Sequence, residues 1–409
     1  MMSPLDRRGF LKQSGSLAVA AATLDARHLI GDDVAVPNAA EFIAGKDPRL
    51  VVYNAKVGEI ETPLVLLRDH RLTPKELLFV RNNQVFPGSL TLKPGNLVDW
   101  KIELTGLVNK PQTIAASELE RLEQVEQELV LQCSGNGRSR FARSVKADGV
   151  QWQNGAMGNV RFGGVRLRTV LEAVGIHIAP EAKFVAAEGR DAPDKPDAAD
   201  FEHSLPLADV LDRALLALRL NGEPLPLAHG GPVRLVMPGY YATMNVKWLG
   251  RLRFEATETT NHHHVGRYRT PRKPISPGSK FTSTIENSEP NWDMRIKSVV
   301  FAPLDGQKLP AGPTEIRGVA WNDGLAKLDA VEVSTDDGKT WQRTQLAASS
   351  SPFAWQHWKL TVPLSRGQQT IQCRAVDALG RTQPRDGSSY WNPAGYAWNG
   401  VDSVRVDVS

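Results

Sequence analysis

Residues 129–140 read LVLQCSGNGRSR. Leu129, Val130 and Leu131 form a short apolar run that predicts a buried strand, and the run ends on one cysteine, Cys133. Gly135 and Gly137 flank Asn136, so the backbone there can turn sharply and approach a bulky ligand closely. Arg138 and Arg140 follow at once, and positive charge near a thiol favours the thiolate. A soft thiolate beside clustered cations suits a metal or cofactor ligand that faces an anionic substrate. The plainer reading is a small buried hydrophobe, the usual state of a lone cysteine. The rest of the chain has to choose between them.

Upstream, residues 117–128 carry capping signals and charges that predict a surface helix. Residues 98–104, VDWKIEL, alternate apolar and polar and predict a half-buried strand. Residues 73–78 predict a short helix, with Thr73 as N-cap and Pro74 in the first turn. Phe79 and Val80 then lead into the polar Arg81, Asn82 and Asn83.

Downstream, Trp152 precedes a turn at Asn154 and Gly155. Helices are predicted over 165–174, ending at Gly175, and over 205–218. His229, Gly230, Gly231 and Arg234 run into an apolar stretch, which is good equipment for gripping a phosphate; a core histidine and a surface arginine are the alternative. Residues 245–250 predict another strand, with Lys247 among apolar neighbours. Three consecutive histidines, His262 to His264, cannot all face one ion from a regular element, so they are expected in a solvated loop. Tyr268, between Arg267 and Arg269, offers a phenol to an anion.

Residues 271–291 are rich in Pro, Ser, Thr and Lys and read as a linker. Beyond them, short strands recur between turn signals at 296–301, 314–321, 328–334, 357–362, 369–377 and 403–408. About seven strands at this spacing predict an immunoglobulin-like sandwich. Cys373 falls inside one of them and reads as inert core.

The chain has 409 residues, is 41% hydrophobic and carries a formal charge of +4. That length supports two domains. No basic run or basic-aromatic stripe marks a nucleic-acid binder. Near the start, Arg7 and Arg8 precede Phe10-Leu11-Lys12 and a short apolar stretch, the order of a twin-arginine export signal. The expectation is a signal over residues 1–30, cut between Ala20 and Ala26, with no span in the mature chain and a periplasmic protein. In that oxidising compartment Cys133 and Cys373 could instead pair as a disulfide. Two cysteines cannot hold a four-cysteine iron–sulfur cluster, and no C-x-x-C-H haem-attachment motif occurs.

Taken in order, these residues resemble the sulfite oxidase family of molybdenum enzymes. The resemblance rests on Phe79-Val80-Arg81-Asn82, on Leu131-Gln132-Cys133-Ser134-Gly135-Asn136, and on Trp152 with Gly155-Ala156. It continues through Asn221-Gly222, His229-Gly230, Pro232-Val233-Arg234 and Val246-Lys247-Trp248-Leu249-Gly250. It implies an α+β chain: a mixed α/β molybdopterin-binding catalytic domain over 31–290, then an immunoglobulin-like dimerisation domain over 291–409. Cys133 is by resemblance the protein thiolate on molybdenum, with one molybdopterin per metal. Arg81, Arg138, Trp152 and Tyr268 match the oxyanion pocket. Phe79, Val80, Asn82, Asn83, His229, Arg234, Asn245, Val246 and Lys247, with Asp191, match positions at the pterin and its phosphate. Many members carry histidine where this chain has Asn83, and animal members have an arginine where Ala394 stands, so a less positive anion pocket is expected.

The implied reaction is oxidation of sulfite to sulfate by a homodimer that passes electrons to an external c-type cytochrome and carries no haem itself. The catalytic subunit of a sulfane dehydrogenase is the alternative. A methionine-sulfoxide reductase of the superfamily, or a non-catalytic sulfur-compound binder, fits less well.

Overall fold

The structure is a computed structural model that describes residues 45–84, 97–191 and 199–409. The expected export signal lies outside them. Among the described residues no helix is long and apolar enough to cross a membrane.

Two five-stranded sheets build the first part of the chain. In one, Val125–Gln132 pairs with Met157–Arg166, which pairs with Leu215–Leu220; that strand also takes Glu223–Pro224 and Arg234–Val236. All these pairs are antiparallel. The second sheet runs Gln112–Ala115, Lys101–Gly106, Leu249–Glu255, Phe184–Gly189, Glu202–Pro206, and is mixed, because Lys101–Gly106 lies parallel to Leu249–Glu255. Helices Leu167–Ala173 and Leu207–Arg213 pack beside these strands, Leu167, Val170, Leu171 and Val210 turned into the main core. A smaller core gathers Phe79, Leu131, Cys133, Trp152 and Phe162 around the end of Val125–Gln132.

The remainder is a two-sheet sandwich. Lys297–Ala302, Gly312–Trp321, Gln356–Leu364 and Gln345–Leu346 form one layer. Lys308–Leu309, Asp402–Val408, Gly367–Asp377, Leu328–Ser334 and Gln342–Arg343 form the other. Ile316, Trp358, Ile371, Cys373 and Val404 fill the space between. This is the α+β architecture that the resemblance implies, and the second part is the sandwich expected from the strand spacing, its strands closing over an apolar layer.

Several local expectations fail for identifiable reasons. The helix expected over 117–128 is a single turn, Ala116–Leu119. Val125 to Glu128 are extended because they pair in continuous register, Val125 opposite Gly164 through Gln132 opposite Met157; ladder pairing overrides weak helix propensity. The helix expected over 205–218 stops at Arg213, and Leu215–Leu220 is a central strand. Residues 73–78 make only a turn: Leu77 and Leu78 both donate to the Pro74 carbonyl, while Thr73 Oγ1 accepts from the Asn159 amide, 3.1 Å. The strand expected over 245–250 begins only at Leu249, because Trp248 adopts a positive φ of 48°.

The histidine run is not a solvated loop. His262–Val265 is one helical turn capped by Asn261, with His263 and His264 buried. His264 Nε2 lies 2.8 Å from Glu258 Oε2, and its Nδ1 lies 3.3 Å from His203 Nδ1. Both cysteines are free thiols, so the alternative of a Cys133–Cys373 disulfide is wrong. Cys373 is fully buried in the sandwich, and burial pushes its thiol well above the ordinary value.

The sandwich also reaches into the first part of the chain. Trp321 Nε1 donates to Gln132 Oε1 at 2.8 Å, and the Val130 amide donates to the Phe353 carbonyl at 2.8 Å. The Ala397 amide donates to the Ser134 carbonyl at 2.7 Å. Asp402 takes Arg140 at 3.3 Å and Asn154 at 3.1 Å. The strand end that carries Cys133 is therefore clamped from both sides.

Candidate functional site

Val125–Gln132 delivers Cys133 to the wall of an inner cavity. The cysteine amide donates to the Ala156 carbonyl at 2.9 Å, and its Sγ accepts from the Gly135 amide at 3.4 Å. Asn136 closes the turn behind it, its Oδ1 accepting from the Ala156 amide at 3.1 Å. The sulfur is thus fixed in place by backbone, with a small exposed face toward the cavity.

Opposite lies a group of cations. Arg234 enters on its strand and donates to the carbonyls of Asn245 at 2.9 Å and His229 at 3.1 Å. Burial pulls its guanidinium down to about 9. Lys247 donates to Asn82 Oδ1 and to the Ala228 carbonyl, both at 2.6 Å. Burial, then the nearby Arg234, drive its ammonium well below the ordinary lysine value, against an attraction from Asp191. His229 is held neutral by burial and by the charges of Lys46, Lys247 and Arg234. Gly230, at φ +99°, makes this packing possible: a Cβ there would fall 2.8 Å from the Lys247 Cβ.

Asp191 lines the same cavity. Burial lifts its carboxyl to about 7 against the pull of Lys247, and its Oδ2 has no hydrogen-bond partner.

Arg81, Asn83 and Tyr268 line both this cavity and an adjoining outer one. Asn83 Oδ1 accepts from Arg81 Nη2 at 3.0 Å and from the Tyr268 hydroxyl at 2.9 Å, while its own buried Nδ2 has no partner. Burial pulls the Arg81 guanidinium down, but Tyr268, Glu59 and Cys133 outweigh it and its net shift is upward. Tyr268 stacks on Tyr396, ring centroids 5.1 Å apart. Its phenol is raised, chiefly by burial.

Most of the residues singled out in the sequence meet here: Phe79, Arg81, Asn82, Asn83, Cys133, Asp191, His229, Arg234, Asn245, Lys247 and Tyr268 line the inner cavity. Arg138 lines only the outer one, bound to the carbonyls of Ala394 at 2.7 Å and Val150 at 2.8 Å. Arg140 turns away to Asp402. Val80, Trp152 and Val246 are fully buried behind the wall, and Trp152 packs edge-on against Tyr53 at 5.2 Å. Sequence reasoning missed Thr243 and Phe201 on the wall and Lys46 behind it. None carries a local signal; Lys46 meets His229 across 183 positions.

The donor set fits a molybdenum–pterin cofactor. Arg234 and Lys247 donate only to neutral oxygens, so their charge faces the cavity without a carboxylate hydrogen-bonded to it, as a phosphate requires. A free thiol on the other wall is a soft ligand suited to molybdenum. The unpartnered Asp191 oxygen provides for a heterocycle N–H.

Comparisons with known proteins agree. Residues 91–263 match the family described as oxidoreductase molybdopterin binding domain, and residues 288–409 match the Mo-co oxidoreductase dimerisation domain. The mitochondrial sulfite oxidase of Homo sapiens is 31% identical over 375 residues, 89% of this chain and 67% of that one. The sulfite oxidase of Gallus gallus is 33% identical over 385 residues, covering 89% and 81%. The sulfane dehydrogenase SoxCD from Paracoccus pantotrophus superposes with a TM-score of 0.74 at 26% identity, over 94% of this chain and 92% of that chain. On its sequence, its fold and the residues gathered at Cys133, the chain belongs to the sulfite oxidase family of molybdenum oxidoreductases.

Proposed function

We propose that this protein is a sulfite dehydrogenase: sulfite and water become sulfate, two protons and two electrons. The observation that carries the reading is the Arg81–Asn83–Tyr268 cluster, which lines both cavities and shares the inner one with the Cys133 thiol. A guanidinium and a free amide N–H converging there, the amide held by a phenol, form a donor set for a small dianion.

In this reading Cys133 ligates molybdenum through Sγ. Arg234, Lys247 and His229 hold the pterin phosphate, and Asn82, Asn245 and Asp191 contact the pterin. When bound, the cofactor supplies the two-electron redox chemistry. The chain's own part is orientation. Arg81 stays charged at any working pH and positions the anion. The Asn83 Nδ2 donates to its oxygens, and Tyr268, whose hydroxyl donates to Asn83 Oδ1, holds that amide in place beside the anion. Arg138 adds positive charge at the outer mouth.

The electrons pass to a separate c-type cytochrome; support comes from a sequence without a C-x-x-C-H motif. The protein acts in the periplasm after twin-arginine export, supported by Arg7 and Arg8, and as a homodimer, supported by the match to a dimerisation family.

The likeness to SoxCD favours a second reading, oxidation of protein-bound sulfane sulfur. Molybdenum-loaded protein assayed with sulfite and an artificial acceptor separates the two. Sulfate formation that disappears in Cys133→Ser supports the first. Loaded protein that ignores sulfite but oxidises a sulfane carrier supports the second.

A further inference from the structure

We propose that Lys46 is a positioning residue of the cofactor cradle: it fixes the tautomer of His229 so that the ring presents Nδ1–H as its donor. The inference rests on the cofactor reading of the cavity, and it adds a residue outside both matched family segments.

An ammonium has three N–H donors and no acceptor. Lys46 Nζ donates to the Lys75 carbonyl at 2.6 Å and the Leu78 carbonyl at 2.8 Å, and its third neighbour is His229 Nε2 at 2.7 Å. While Lys46 is an ammonium, Nε2 must therefore be the bare lone pair. His229 is neutral, so its single proton sits on Nδ1.

The same ring is tied to the cation group: Arg234 holds its backbone carbonyl at 3.1 Å, and Lys247 holds the preceding one, of Ala228, at 2.6 Å. Lys46 thus stands behind His229 while Arg234 and Lys247 stand beside it. Three cations surround one neutral imidazole.

The charged groups facing Lys46 define its proton balance. Burial lowers its ammonium to about 7, opposed by the attraction of Glu76. Lys247 repels it in turn, while Asp191 acts mainly on Lys247. Without an anion in the cavity, the Lys46 proton is lost as pH rises through 7. The ring then gains a second arrangement, with Nε2–H turned toward the Lys75 carbonyl it already faces.

A phosphate on the cradle restores the ammonium. Binding therefore takes up a proton above pH 7, and affinity falls as pH rises. The device couples cofactor retention to the ionisation of one lysine.

The test uses cofactor-free full-length protein as wild type, Lys46→Met and Lys46→Arg. The tautomer of His229 is read from ¹⁵N shifts, and retention from pterin fluorescence after reconstitution with molybdopterin at pH 6.5 and 9. Wild type should show Nδ1–H at pH 6.5 and lose retention toward pH 9. Lys46→Met should show Nε2–H at both, and retain about ten-fold less pterin at pH 6.5 with a smaller further loss at pH 9 than wild type, the part that remains being set by Asp191. Lys46→Arg, which keeps the charge, should keep Nδ1–H and shows that the site still folds. An unchanged tautomer in cofactor-free Lys46→Met, or an unchanged pH slope, would overturn the proposal. A wild type that takes up no molybdopterin would instead refute the cofactor reading itself.

Discussion

At the scale of single residues, the cluster that lines both cavities is organised by one amide. Asn83 spends its oxygen on Arg81 and Tyr268 and keeps a bare N–H. Arg81→Gln removes the charge, and kcat/KM for sulfite should fall about ten- to a hundred-fold, mostly through KM, as expected for a charge-assisted hydrogen bond. Tyr268→Phe removes a neutral donor and should cost roughly five- to ten-fold.

Asp191 gives a pH signature in the cofactor-free protein. Its folded-state pKa, about 7, lies above the ordinary carboxylate value of 3.8, because burial disfavours the carboxylate. The penalty is absent while the group is protonated, grows as pH rises from 4 to 7, and is constant above. Asp191→Asn should therefore raise Tm at pH 8 and leave it nearly unchanged at pH 4, as a thermal melt at each pH would report. The polar chemistry at Arg81, Cys133, His229, Arg234 and Lys247 is legible in the sequence because each sits in a short, dense motif. Lys46 is not, since its partner is supplied entirely by tertiary folding.

At the scale of elements, the turn after the cysteine strand controls where the sulfur points. Gly137 has φ +88°, and a Cβ there would lie 2.7 Å from the Trp398 ring. Gly137→Ala should destabilise the protein by about 2 kcal/mol, from the left-handed backbone and the clash together, and should lower molybdenum content. Denaturant melts and metal analysis check both effects.

Short β-type runs between turn signals were readable, as 328–334 shows in full agreement with Leu328–Ser334. Ambiguous stretches were not. Val125 to Glu128 have helix-compatible residues, and only pairing with Met157–Arg166 makes them extended. His263 and His264 look polar in sequence, yet in the interior Glu258, Arg269 and His203 meet the His264 ring, and Gln84 and the Ala199 carbonyl meet His263 Nε2. Local pattern carries no information about such partners.

At the scale of the whole molecule, the sandwich is part of the site's support as well as a candidate for pairing. Asp402 sits 5% exposed and holds Arg140 and Asn154 beneath the Cys133 turn, while also accepting from the Val300 amide at 3.0 Å. Asp402→Ala leaves those donors buried and unpaired, and should cost about 3 kcal/mol or more. A sedimentation mass of two chains is expected for the folded protein; a single-chain mass would contradict the homodimer. The division into two kinds of architecture was visible from the change in periodicity after the linker. The clamping of one by the other was not, because Gln132, Ser134 and Arg140 give no hint of partners near the C-terminal end.

The proposed chemistry turns on one bond, between the Cys133 sulfur and molybdenum. X-ray absorption at the molybdenum edge, on loaded wild type and Cys133→Ser at matched metal content, tests it most directly. The proposed chemistry predicts three sulfur neighbours in wild type, two from one pterin dithiolene and one from the protein, falling to two in the variant. An identical sulfur count in both proteins would contradict it.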